Sequence, residues 1–305
     1  MAKKGWTFAR LLEVAGSGRD SLRGIDERLV IHVCVDPSCP RALALEVRDA
    51  LRAERAGGVV EVMSLLGSPS AGAEQPDAAI VLPGSLDAAP VICSYARSGV
   101  PVAVVVEGAL DAPALDLPEQ ALALVGVVAA SSPEQLPEKL AAWLASAVDK
   151  SIALAANFSF CRDAVVDSLI SQCAVENAAV GAISLIPGSD LPIMCANQAM
   201  LALNIAAAYG HGLEPSRAAE LAGVLGAGLV WRGVARSLVG LLPGIGMLLK
   251  AGVGYGGTLA TGNAIRLRFE AARSERAPQG EAPEAPEHAV LPTTPRTDDY
   301  VTIGG

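Results

Sequence analysis

Apolar runs and helical periodicities alternate along the first half of the chain. Residues 29–35 (LVIHVCV) form a run rich in β-branched side chains, closed by Pro37 and Pro40, and residues 42–54 follow with helical spacing. VVEVMSLL (59–66) predicts a second strand, AAIVLP (78–83) a third, and residues 88–97 a helix. VPVAVVVEG (100–108) and ALVGVVAAS (123–131) predict strands four and five. After Pro133, residues 134–148 (EQLPEKLAAWLASAV) predict an amphipathic helix with Glu134 in its first turn. Strands separated by helices, several of them apolar throughout, predict an α/β domain with a doubly wound, mostly parallel sheet covered on both faces.

The pattern changes near residue 150. Strand-like blocks disappear, and Ala, Gly and Leu take over. Residues 191–213 hold no Asp, Glu, Lys or Arg, and between 221 and 265 only Arg232, Arg236 and Lys250 are charged. Twelve glycines fall between Gly223 and Gly262. Glycine weakens an exposed helix by about 1 kcal/mol relative to Ala. So many are tolerable only where helix backbones press together or where lipid surrounds them. Leu185-Ile186-Pro187-Gly188 and Leu241-Leu242-Pro243-Gly244 share a local form. Proline removes a donor and glycine permits positive φ, so Pro187, Gly188, Pro243 and Gly244 are the expected corners of two helical hairpins, at 150–210 and 216–272. The expected organisation is an N-terminal amphipathic segment (1–27), the α/β domain (28–149), an all-α, Gly-rich helical-hairpin domain (150–273) and a disordered tail (274–305). Five prolines and few apolar residues mark the tail.

Composition sharpens this picture. Hydrophobic residues are 51% and aromatic ones only 4%, which favours close helix packing over aromatic ligand pockets. A net charge of −9 argues against nucleic acid as a partner, because that affinity rests on Lys and Arg. The six cysteines are scattered, mostly in apolar stretches, and neither a second Cys pair nor a nearby His completes a zinc set around Cys34 and Cys39. They read as buried thiols. Residues 1–16 start basic but have no signal-peptide core. Trp6, Phe8, Leu11, Leu12 and Val14, with Lys3, Lys4 and Arg10, predict a short amphipathic helix. It either docks on the protein's own surface or anchors at a membrane surface.

The loop after the first strand is where an α/β nucleotide-binding domain carries G-x-x-x-x-G-K-[ST]. There, glycines let backbone N–H groups reach phosphate, Lys neutralises it and a hydroxyl holds Mg²⁺. Here Asp36 and Arg41 stand in the Gly positions, Ala42 in the Lys position and Leu43 in the hydroxyl position. Pro37 and Pro40 remove donors, and Asp36 puts negative charge where phosphates would lie. These residues argue against conventional P-loop nucleotide hydrolysis. No enzyme activity, cofactor or metal is expected.

The element order nevertheless resembles a G domain of the Era/Der type. DAAIVLPGS (77–85) matches the strand before the third helix, GVPVAVVVEGALD (99–111) the place of the guanine-reading Asn-Lys-x-Asp, and GVVAASSPEQLPEKLAAWL (126–144) the final strand and helix. At the guanine-reading place stand Glu107-Gly108-Ala109-Leu110, with Asp111 one position late, so the resemblance implies a degenerate, pseudo-GTPase-like domain. The second half resembles the bacterial domain of unknown function 697. The matching pieces are P-G-S-D-L-P at 187–192, Asn197-Gln198, Ala-Ala-Ala-Tyr-Gly at 206–210, Arg232 with Arg236, and Leu-Pro-Gly at 242–244. That family accompanies Era/Der-type GTPases and is often membrane-associated. The resemblance implies lipid and a GTPase as partners and a place at the cytoplasmic side of the bacterial inner membrane; it assigns no catalytic residues.

Arg232 and Arg236 share one helical face in an apolar segment, where an unpaired ion is costly. With Lys250 they are candidate contacts for lipid phosphates or a partner's carboxylates, unless they pair internally with Asp190, Glu176 or Glu220. Asp190 itself reads as a helix N-cap. Gly252 and Gly256 form a Gly-x-x-x-Gly that permits close helix crossing, including by a second copy in a homo-oligomer. His32 and His211 lack a nucleophile partner and read as structural. The expected function is a non-catalytic, membrane-associated scaffold or regulator. The alternatives are a soluble helical-bundle interaction module, since no uninterrupted apolar run reaches the ~18 residues of a spanning helix, and an unconventional nucleotide binder using residues 36–41.

Overall fold

The computed structural model describes residues 24–65, 75–183, 191–212 and 246–276. Arg232, Arg236, the four expected corner residues Pro187, Gly188, Pro243 and Gly244, the basic amphipathic stretch and the Pro-rich tail beyond 276 lie outside the described residues. The five expected strands are present as β1 (Leu29–Val35), β2 (Gly58–Ser64), β3 (Ala78–Leu82), β4 (Val102–Val106) and β5 (Val125–Ala129). All pair in parallel, in the order β2-β1-β3-β4-β5. The fold is α/β, with helices α1 (Arg41–Ala50), α2 (Ala89–Arg97) and α3 (Leu136–Ala147) between or after the strands.

Alternation along each strand sends side chains to two covered faces, which is why the central strands read as unbroken apolar runs. Leu29, Ile31 and Val33 of β1, with Ile80 of β3 and Val105 of β4, pack against Val47 of α1 and Leu140 of α3. The opposite face, Cys34, Val81 and Val104, meets Ile92 and Tyr95 of α2. At Gly126 of β5 the Trp143 indole occupies the space a Cβ would need. Only glycine lets α3 sit that close.

The buried core runs across the change in composition near residue 150. Helices α4 (Ser151–Asn157), α5 (Arg162–Ile183) and α6 (Leu191–Ala208) follow, then α7 (Gly246–Arg276), which passes the expected limit of 273. Leu154, Phe158, Val165, Leu201, Ile205 and Ile265 belong to the same buried apolar cluster as β1 and β3. Polar ties also cross the junction. Lys150 Nζ lies 2.8 Å from Asp77 Oδ1 and donates to the Arg28 carbonyl at 2.8 Å. The Glu54 amide donates to the Asn157 carbonyl at 2.7 Å. Composition changes at 150, but sheet and helices share one buried apolar cluster.

The stretch expected as the first arm of a hairpin is broken in two. Phe158 is extended (φ −120°) and fully buried, and a 3-10 turn at Ser159–Cys161 leads into α5. Burying that ring in the common core outweighs the continuous helix that local propensity favours. Helix α5 packs on α6 and crosses α7. A Cβ at Gly254 would stand 2.7 Å from the Asn177 carbonyl oxygen, and one at Gly262 2.7 Å from Ile170 Cγ1. Between them Thr258 accepts a hydrogen bond from Asn177 Nδ2 at 2.8 Å and donates to the Gly254 carbonyl at 2.7 Å. Asn197 Nδ2 of α6 donates to Asn177 Oδ1 at 3.1 Å.

Within the chain, the glycines at this crossing are Gly254 and Gly262. Gly252 and Gly256 are exposed, and a Cβ on either would meet nothing within 4 Å. At 100° per residue, Gly254 lies on nearly the opposite side of α7 from both. Lys250 falls in the first turns of α7, its side chain outside the described residues. Among the described residues no helix is long and apolar enough to cross a membrane.

Candidate functional site

In an open parallel sheet, ligands bind beyond the carboxyl ends of the strands where the strand order reverses. Here that switch point lies between β1 and β3, flanked by the loop after Val35 and the loop after Leu82. β1 ends directly in Asp36, whose amide donates to the Leu82 carbonyl at 3.0 Å and places the carboxylate in the crevice.

Asp36 is 1% exposed, and its carboxylate is saturated by the two loops. Oδ1 accepts from the Ser38 amide and the Ser38 hydroxyl, each at 2.8 Å, and Oδ2 accepts from the Leu86 amide at 2.8 Å. Ser38 Oγ in turn accepts from the Ser85 amide at 2.8 Å and lies 2.8 Å from Ser85 Oγ. A Cβ at Gly84 would stand 2.7 Å from Asp36 Cγ, so the second loop closes over the carboxylate only because residue 84 is glycine.

The Ser38 amide, foremost, holds the Asp36 carboxyl below its ordinary range. Burial opposes it, and the Leu86 amide, the Ser38 hydroxyl and the Gly84 amide add to the lowering. Donors converging at a strand end are the apparatus of an anion seat. In this crevice they are already engaged by an anion that the chain supplies. An arriving phosphate would meet negative charge in place of Lys, with the Ser38 and Leu86 amides occupied.

The second carboxylate singled out from sequence, Asp111, is exposed and engaged by its own loop. Asp111 Oδ2, beyond β4, accepts from the Gly108 amide at 2.9 Å and caps a 3-10 turn at Ala109–Asp111. The carboxylate expected one place late for guanine is thus engaged by its own loop, and Leu110 is fully exposed beside it.

The thiol of the first loop belongs to Cys39. Burial, followed by the Asp36 charge, raises the Cys39 thiol above its ordinary value, so it stays protonated at neutral pH. The second cluster of reactive residue types is a core feature. His32 Nδ1 lies 2.9 Å from the Tyr95 hydroxyl, which donates to Met63 Sδ at 3.6 Å, while Cys34 Sγ donates to the same hydroxyl at 3.7 Å. Glu61 Oε2 stands 3.3 Å from His32 Nε2. Burial pushes both the Tyr95 hydroxyl and the Cys34 thiol upward, and both remain neutral. Among the described residues no group of three or more His, Cys, Asp or Glu side chains gathers to hold a metal.

Of the residues singled out from sequence, Asp36 is the one the fold places at a ligand-type position. Ser38 was covered only within the 36–41 loop, and Gly84, Ser85 and Leu86 were given no role. A short Asp-Pro-Ser turn signals the first of them, but nothing local signals the three that arrive from 48 or more positions downstream. Comparison with known protein families, with curated proteins and with solved structures finds no match for this chain.

Proposed function

We propose that this chain is a non-catalytic scaffold or regulator built on a pseudo-GTPase-like α/β domain that has given up its nucleotide. The observation that carries the reading is Asp36, buried at the switch point and holding the amides that a phosphate would need. The Gly-rich helical part, in this reading, supplies contact with a membrane surface at the cytoplasmic side of the bacterial inner membrane. What supports this is the absence of Asp, Glu, Lys and Arg from 191–213 and the sparse charge of 221–265. Arg232, Arg236 and Lys250 are proposed to meet lipid phosphates or a partner's carboxylates, and a GTPase is the proposed protein partner. Gly252 and Gly256, exposed on α7, are proposed for contact with a second copy.

Calorimetric titration of the full chain with GTP and ATP in the presence of Mg²⁺ tests the central point. No saturable heat is expected, and micromolar binding would overturn the pseudo-GTPase reading in favour of an unconventional nucleotide binder. Carbonate washing of bacterial membranes tests the second point. Full-length protein recovered wholly in the soluble fraction would defeat the membrane assignment.

A second reading, a soluble helical-bundle interaction module, draws support from the core. Leu201, Ile205 and Ile265 are spent on packing against the sheet cluster, not on an outward apolar girdle. Affinity capture distinguishes the two readings. The first expects an active GTPase recovered from solubilised membranes; the second expects partners retained in the soluble extract.

A further inference from the structure

Between α3 and α5 runs a groove of about 700 Å³. Its walls carry carboxylates at helical spacing, Glu134 and Glu138 on one side and Asp163 and Asp167 on the other. All four are exposed. Arg266 of α7 reaches both aspartates, at 3.1 Å and 2.7 Å, which leaves the rim net negative. The floor is made of small or flat side chains, among them Ala141, Ala145, Ala164 and Phe160. Small floor residues leave space for large ones, and like charges four apart repel until a cation sits between them.

We infer that this groove is the docking site of the chain's own basic amphipathic segment, residues 3–14. Charge and shape complement each other. Trp6, Phe8, Leu11 and Leu12 offer the bulk that the alanine floor lacks, and Lys3, Lys4 and Arg10 offer the charge that the rim needs. The geometry of entry permits it. The described chain begins at Gly24, which packs on Ile152 of α4, while Ile25 is buried with Ile152, Ala156 and Ala207. Ile152 follows Ser146, at the groove wall, by six residues, at most about 20 Å even if fully extended. Residues 15–23 span up to about 30 Å. The linker therefore reaches the groove, and tethering at that range makes docking an intramolecular event with a high effective concentration. Opposite charges at an exposed rim make it sensitive to salt.

Zero-length carbodiimide coupling of the full chain, read by peptide mass spectrometry, tests the docking. The Lys150–Asp77 pair, 2.8 Å apart, is the internal control for reactivity. Expected are amide links from Lys3 or Lys4 to the groove carboxylates on the monomer at low ionic strength. They should fall at least tenfold in 0.5 M salt and in a Glu134→Gln, Glu138→Gln variant, with the control link and the far-ultraviolet circular dichroism unchanged. Absence of those links while the control forms would overturn the proposal, as would links found only elsewhere on the chain. The same links found only at the mass of a dimer would replace the chain's own segment with a second copy's. None of these outcomes depends on nucleotide binding, so the proposal and the pseudo-GTPase reading fail separately.

Discussion

Replacing Arg162 with methionine tests how the helices are fastened to the sheet domain. Arg162 opens α5, is 4% exposed, and ties three segments together. Its Nε donates to the Ala155 carbonyl at 3.2 Å and to the Ala208 carbonyl at 3.1 Å, each in the last turn of a helix. Its Nη2 donates to Glu54 Oε2 at 2.8 Å, and its guanidinium carbon lies 5.4 Å from the centroid of the Tyr209 ring. A cation at two helix C-termini is favoured by their partial negative charge. Methionine keeps most of the apolar stem but leaves both carbonyls without this donor. A lost bond to a charged donor costs about 1.5–3 kcal/mol. The Glu54 bond adds less than about 1 kcal/mol, because that carboxylate is 38% exposed and returns to water. The ring contact adds about 0.5–1 kcal/mol. The expected loss is about 3–4 kcal/mol, a large share of the roughly 5–15 kcal/mol of a typical domain. Urea unfolding followed by circular dichroism should show the midpoint falling with the slope unchanged. Arg162→Lys should recover only part of the loss, since an ammonium cannot reproduce the planar fork. A methionine variant within about 1 kcal/mol of the parent would refute the reasoning, and would mean that apolar packing substitutes for the buried ion.

Asp36→Asn should destabilise the fold at neutral pH, because an amide nitrogen replaces an acceptor facing backbone donors. The folded carboxyl lies below its ordinary value of 3.8, so its contribution is fully present above that value and is lost as pH falls through the folded one. The stability gap between parent and variant should therefore be flat near neutrality and close below about pH 4; a gap that widens in acid would contradict the assignment. The same substitution should speed alkylation of Cys39 at neutral pH by removing a charge that raises its thiol, an effect read by mass spectrometry. On α7, Gly254→Ala should cost about 1–3 kcal/mol by pressing on the Asn177 carbonyl and Met194. Gly252→Ala and Gly256→Ala should each stabilise the monomer by up to about 1 kcal/mol. Thermal melts that rank these three substitutions the other way would place the crossing on the wrong face.

Much of the α/β half was readable from local pattern, because β-branched runs and helical periodicities depend on neighbours in the chain. The five strands and their separating helices follow from residues 29–148 taken in order. The same applies to the negative charge at Asp36. Its consequence does not follow in that way. The amides of Ser85 and Leu86 reach the Asp36–Ser38 turn only because β3 pairs directly beside β1, and strand order is set by long-range burial. The Gly-rich half shows the same division. Sequence identified a helix dense in small residues, but neither its period nor its composition distinguishes Gly252 and Gly256 from Gly254 and Gly262. That choice is made by Asn177 and Ile170 on a helix about eighty to ninety positions earlier. The junction near 150 looked like a boundary because composition changes there. Only tertiary packing shows that Phe158 and Leu154 find their apolar surroundings against β1 and β3, since the free energy of burial takes no account of distance along the chain.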